Sequence, residues 1–121
     1  MTAEIRELLA SFRSLNGVTL AAVVATDGLL IEGVADPGVD VDAICAVASN
    51  GLVMAEALGR EIGKGGTVQT ILEYESGLVI LEPLSDDAMV LIVSGRRNHL
   101  GRIRFLLKRY HQPLFEAVNA I

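Results

Sequence analysis

Residues 67–94 read TVQTILEYESGLVILEPLSDDAMVLIVS, and this stretch decides the architecture. Three short runs stand at hairpin spacing: Thr67–Glu75 meets Leu78–Leu84 across Ser76-Gly77, and Ala88–Ser94 follows across Ser85-Asp86-Asp87. The two later runs are almost continuously apolar, as strands covered on both faces are. Thr67–Glu75 alternates instead. Val68, Thr70, Leu72 and Tyr74 fall on one side, with Thr67, Gln69, Ile71, Glu73 and Glu75 on the other. That alternation predicts an edge strand.

Outward from this core, Val18–Ala25 is another β-branched, nearly all-apolar run and belongs in the middle of a sheet. Asp27-Gly28 is a strong two-residue hairpin signal and leads into Leu29–Val34, short and interrupted by Glu32 and Gly33, hence a second edge. Helices frame these strands. Ile5, Leu8, Leu9, Phe12 and Leu15 predict a first helix over Ala3–Leu15, stopped by Asn16-Gly17. After Asp36-Pro37-Gly38, Asp40 or Asp42 caps a long second helix, Val41–Ile62, which Gly63-Lys64-Gly65-Gly66 breaks. A last helix starts near Asn98, with Leu100, Ile103, Leu106, Leu107, Tyr110 and Leu114 on one face, and Pro113 kinks it or ends it early. Pairing hairpin neighbours orders the strands second, first, fifth, fourth, third. The expected fold class is α/β in the broad sense, an α+β sandwich with one five-stranded antiparallel sheet and helices on both faces.

The second helix is too apolar for one buried stripe. Ile44, Val47, Ala48, Gly51, Leu52, Ala55, Leu58, Gly59 and Ile62 form the row expected on the sheet. Opposite it, Ala46, Asn50, Val53 and Ala57 recur at four-three-four spacing, the seam spacing of helices that pack together. An Ala-rich helix chosen for propensity alone is the alternative. The edge strand Thr67–Glu75 lacks the Lys or Pro that blunts natural edges, although Glu73 and Glu75 offer some protection. Together these features predict a homodimer built on Ala46, Asn50, Val53 and Ala57 of the helix and Val68, Thr70 and Leu72 of the strand. Glu56, Arg60 and Lys64 would form the polar rim of a partner surface.

At 121 residues the chain is read as one domain over 1–121, and a chain of this size buries roughly two-thirds of its unfolded surface. Hydrophobic residues make up 51% and mean hydropathy is +0.47, which excludes a disordered chain. No uninterrupted apolar run reaches the ~18 residues of a membrane span. Glu4 and Glu7 stand where a secretion signal needs basic residues, and Cys45 has no cysteine to pair with, so a cytoplasmic protein without membrane insertion is the default. Net charge is −5, but Arg96, Arg97, Arg102, Arg104, Lys108 and Arg109 lie within fourteen positions, leaving a balance of −11 elsewhere. An acidic body with one basic stripe argues against nucleic acid as a partner. Phe105 sits between the two basic flanks of the last helix, and a solvated face with Phe105 packed on the first helix is the simpler account.

Catalytic constellations find no support. Gly63-Lys64-Gly65-Gly66 follows a helix and precedes a strand, the reverse of a phosphate loop, and lacks its spacing. His99 and His111 stand twelve apart, too far for an i, i+4 metal pair. Asp86-Asp87 is explained by a turn, no serine has a nucleophile-elbow context, and Cys45, near a helix start that could lower its pKa, has no neighbouring His. No catalytic residue, cofactor or metal is expected.

The whole chain resembles the Roadblock/dynein light chain domain family, in particular its bacterial MglB-like members. The likeness rests on Leu15-Asn16-Gly17-Val18, Ala21-Ala22-Val23-Val24 and Asp27-Gly28-Leu29-Leu30-Ile31. It continues through Ala43-Ile44-Cys45-Ala46-Val47-Ala48, Leu58-Gly59-Arg60-Glu61, Gly77-Leu78-Val79-Ile80 and Asn98-His99-Leu100-Gly101. The resemblance implies a profilin-like sandwich and a non-catalytic dimer whose sheet continues across the two-fold axis. It further implies a scaffold or regulator of a small Ras-like GTPase, seated on the paired second helices, that activates without inserting an arginine. A structural adaptor subunit of a larger assembly is the alternative it leaves open.

Overall fold

The computed structural model describes residues 2–121. Helix α1 (Thr2–Arg13) precedes strands β1 (Val18–Ala25) and β2 (Leu30–Ala35), and helix α2 (Val41–Glu61) follows. Strands β3 (Thr70–Tyr74), β4 (Gly77–Pro83) and β5 (Ala88–Ser94) come next, then a 3-10 turn (Arg97–His99) and helix α3 (Leu100–Asn119). The strands make one antiparallel sheet in the order β2-β1-β5-β4-β3, the order expected from their apolar runs. The most apolar strands, β1 and β5, pair along their whole length, from Val18 opposite Ser94 to Ala25 opposite Ala88. At the first hairpin Gly28 adopts φ 96° and Asp27 Oδ1 accepts the Leu29 N–H at 3.1 Å.

Alternate residues of each strand feed two cores. On one face Ala21, Val23, Leu78, Ile80, Val90 and Ile92 pack against Ile5, Leu9 and Phe12 of α1 and Ile103, Leu107 and Leu114 of α3. On the other face Leu20, Ala22, Val24, Leu81, Met89 and Leu91 meet only α2, through Cys45 and Leu52. Five strands spaced ~4.8 Å apart put the outer strands ~19 Å from each other, whereas a helix with its side chains is ~10 Å wide. Two helices cover that width and one does not. The two faces of the sheet therefore differ in kind.

Several local readings need correction. Helix α2 lays only part of its most apolar row on the sheet: Ile44, Ala48 and Leu52 pack there, whereas Val47, Leu58 and Ile62 are 70%, 61% and 57% exposed. Cys45 and Ser49, outside that row, sit deepest together with Leu52. Small side chains at 45 and 49 bring the helix backbone close to the sheet, and Ser49 Oγ returns its proton to the Ala46 carbonyl at 2.8 Å. Strand β3 starts at Thr70 rather than Thr67, because the Thr67 N–H is drawn to the Glu56 carboxylate at 3.3 Å. Helix α3 runs through Pro113 to Asn119. Pro113 and Arg109, whose carbonyl loses its helical donor, both lie on the exposed side, where that loss is cheapest.

The caps follow the sequence signals. Asp40 accepts the Ala43 N–H at the start of α2 at 3.3 Å. At the other end Gly63 has φ 69°, its N–H reaches the Arg60 carbonyl at 3.1 Å, and the Lys64 N–H reaches Gly59 at 2.9 Å. That pair of bonds is a Schellman cap, which a left-handed glycine makes without strain. The glycine run at 63–66 is a helix terminator.

Candidate functional site

The half-covered face of the sheet carries an almost wholly apolar groove. Beside α2, over the β3 and β4 side of the sheet, lies a groove of about 550 Å³ lined by Val47, Met54, Leu72, Tyr74, Val79 and Leu81 among others. Leu72 and Tyr74 reach it because alternate β3 residues point to this face, and Val79 and Leu81 of β4 continue the same surface. Asn50 is the one polar side chain at its rim besides the Tyr74 hydroxyl. Strand β3 bonds to β4 alone and so presents a free edge next to this groove.

A second cleft, about 570 Å³, opens on the other flank of α2 between Ser49, Val53, Glu56, Arg60, Thr67 and Asp86. Glu56 is partly committed here, since one carboxylate oxygen holds the Thr67 N–H. Arg60 has no ionic partner within 4 Å among the described residues, and Lys64 lies exposed in the glycine loop.

The sequence-predicted seam is found on the exposed side of α2: Ala46, Asn50, Val53 and Ala57 are all solvent-accessible. Val68 is 83% exposed just before β3, Leu72 lies in the groove, and Thr70 Oγ1 is buried without a hydrogen-bond partner. Sequence reasoning missed Val47, Met54, Tyr74 and Val79 as groove residues. Their signal was present, because an apolar row assigned to the sheet and a second apolar seam together leave α2 without a polar face. By length and composition α2 is apolar enough to cross a membrane, yet it is capped at both ends and packs its Cys45–Leu52 side onto the sheet.

The titratable groups do not gather. Cys45 is fully buried, and burial followed by the Asp42 charge pushes its thiol pKa up, the opposite of activation. His111 Nδ1 lies 3.0 Å from Glu82, which also accepts from Gln69 at 3.0 Å, while His99 stands apart in the 3-10 turn. No group of three or more His, Cys, Asp or Glu is disposed to hold a metal among the described residues. The arrangement offers surface for recognition: an apolar groove, a free strand edge and a basic group at the end of α2.

Comparison with known proteins agrees with this frame. The sequence profile of the Roadblock/LC7 domain matches residues 4–94. An uncharacterised protein of Methanocaldococcus jannaschii is 32% identical over 105 residues, covering 87% of this chain and 88% of the relative. Among solved structures, Myxococcus xanthus MglB superposes with a TM-score of 0.88 at 13% identity, covering 98% of this chain and 90% of that one. An MglB described as having a tetrameric arrangement superposes with a TM-score of 0.83 at 14% identity, covering 94% and 86%. The profile match, the relative and the β2-β1-β5-β4-β3 sheet lead to one conclusion: the chain belongs to the Roadblock/LC7 domain family.

Proposed function

We propose that the protein is a non-catalytic homodimer that binds a small Ras-like GTPase and modulates its cycle. The observation that carries the reading is the uncovered apolar half of the α2 face, adjoining the free β3 edge. A two-fold axis beside β3 pairs it with its symmetry mate in antiparallel fashion and extends the sheet to ten strands. The same operation brings the two α2 helices together, so that Met54, Leu72, Val53 and Ala57 exchange water for a partner copy. The tetrameric arrangement named for one MglB structure supports self-association in this fold.

The outer crest of the paired helices then forms a platform with Arg60 and Lys64 at its rim and Glu56 partly engaged below. Rim charges steer and select a partner more than they hold it. Arg60→Glu is therefore expected to slow GTPase association and leave the dimer intact. An arginine acting directly on the transferring phosphate would cost roughly 10³-fold or more in turnover at saturation. GTP turnover of the Ras-like GTPase from the same cell, titrated with both forms, tests the proposal. Failure of the unmodified protein to bind any such GTPase rejects it. Binding without a change in turnover leaves an adaptor role.

A further inference from the structure

Helix α3 carries a second surface, on the opposite face of the sheet, that the proposed dimer does not use. Its apolar row, Ile103, Leu107 and Leu114, is buried against the sheet and α1. Directly outward from that row stands Phe105, 63% exposed and outside the hydrophobic cluster that α1 and α3 share. Arg104 and Lys108 flank it on one side and Arg102 and Arg109 on the other. None of these four cations has a carboxylate within 4 Å among the described residues, whereas Arg97 is paired with Glu73 at 3.0 Å. Between residues 88 and 115 the chain has no acidic residue at all, although its net charge is −5. Four cations without a carboxylate partner on one crest of an acidic protein, Arg109 lying 5.7 Å over the Tyr110 ring, are a strong charge asymmetry.

We infer that this crest is a peripheral docking surface for anionic phospholipid. Arg104, Phe105 and Lys108 also line an open cleft with Gln69, Glu82 and His111, so charge and the exposed ring, not a matched cavity, select the partner. An anionic surface reaches both basic flanks at once, and its headgroup–acyl boundary accepts an exposed apolar ring. The arginine and lysine stems lie along that boundary while their charges stay at the phosphates. A folded acidic protein would need a pocket matched to Phe105, and a nucleic acid would need an unstacked base to receive it. Glu4 and Glu7, exposed on neighbouring α1, are repelled by the same surface and confine contact to the α3 crest. Because α1 and α3 lie across the sheet from α2, a protein adsorbed in this way turns its α2 face toward the aqueous side.

Co-sedimentation with vesicles tests this. The protein is expected to bind vesicles of equimolar phosphatidylcholine and phosphatidylserine at low salt and not vesicles of phosphatidylcholine alone. Binding is expected to vanish near 1 M salt, where the screening length is about 3 Å. The double variant R104Q/K108Q is expected to weaken partitioning roughly thirtyfold, and Phe105→Ser roughly tenfold. All these positions are exposed, so thermal unfolding and the mass in solution should match the unmodified protein. That separates failure here from failure of the dimer proposal. Equal binding to both vesicle types, or binding unaffected by the variants, overturns the inference. Salt-sensitive retention on duplex DNA or polyglutamate with no vesicle binding overturns it too, and assigns the crest to another polyanion.

Discussion

The two faces of one sheet have been finished differently. The face under α1 and α3 is sealed: Ile5, Leu9, Phe12, Ile80, Ile92, Ile103 and Leu114 have no exposed surface. The face under α2 is sealed only over β1, β5 and the near side of β4, and Val47, Met54, Leu72 and Tyr74 remain in contact with water. The same alternation of strand residues supplies both faces with apolar side chains, so the difference lies in helix count. One apolar sheet thus supplies folding stability where two helices cover it and, where one helix leaves it half bare, an apolar surface that the proposed dimer would use.

The largest effect should come from the sealed face. Phe12→Ala removes a fully buried ring that stacks edge-on against Tyr110 at 6.1 Å between centroids. It should cost about 3–5 kcal/mol in denaturant titrations, a large share of the ~5–15 kcal/mol typical of a domain. Met54→Ala makes a comparable truncation on the open face. It should change monomer stability by no more than about 0.5 kcal/mol, as surface substitutions do, because Met54 is 71% exposed. Equal losses at the two positions would erase the comparison.

The second test concerns association. Leu72→Asp and Val53→Glu each place a charge where the proposed dimer buries apolar surface, and an unpaired buried charge is strongly unfavourable. Both should give a monomer by light scattering across micromolar dilutions while circular dichroism stays native. A monomeric unmodified protein at every concentration would end the dimer reading.

The caps come next. Asp40→Ala should lower stability by about 1 kcal/mol through the lost Ala43 N–H bond. A thermal melt unchanged by this variant would mean that the start of α2 is held by its packing alone.

The smallest expected effect is electrostatic. Burial raises the Glu32 pKa, but hydrogen bonds from Arg6 at 3.0 Å and from the Gly33 N–H outweigh it and hold the carboxyl below its ordinary range. A lowered folded-state value means the pairing stabilises the protein above the unfolded pKa and is lost as pH falls through the folded value. Arg6→Ala should therefore flatten the acid side of the stability profile: its small cost is fully present at neutral pH and vanishes at low pH, where the Glu32 carboxyl is protonated in both states. An unaltered acid limb would place the pairing energy at nil, as for many exposed ion pairs.

Much of the architecture was legible before any coordinates. Strand order came from local information: Leu78–Leu84 and Ala88–Ser94 are apolar on both sides and need to be central, while Thr67–Glu75 alternates and needs to be an edge. Helix ends were equally local, because Asp40 and Gly63 act on backbone groups within a few residues of themselves. The site was legible in outline only. An α2 with no polar face announced exposed apolar surface, but the residues lining the groove did not follow from that.

The sequence by itself determined which segments are helix or strand, the order of the strands, and the excess of apolar surface on α2, since all three depend on short-range patterns and on a count of apolar residues. Tertiary structure alone decided how α2 is turned about its axis. Hydropathy favoured a row from Ile44 to Ile62 against the sheet; its Ile44, Ala48 and Leu52 do pack there, but the small Cys45 and Ser49 permit close approach and take the deepest places beside Leu52, and Val47, Leu58 and Ile62 turn to water. Tertiary structure also decided the fate of Phe105. Its spacing is compatible with a place on α1, but Phe12 and Tyr110 already fill the space between α1 and α3, and Phe105 is left facing water among four cations of α3 that have no carboxylate partner. A side chain's own chemistry says what it prefers to touch, and only the packing of all the others says what room remains.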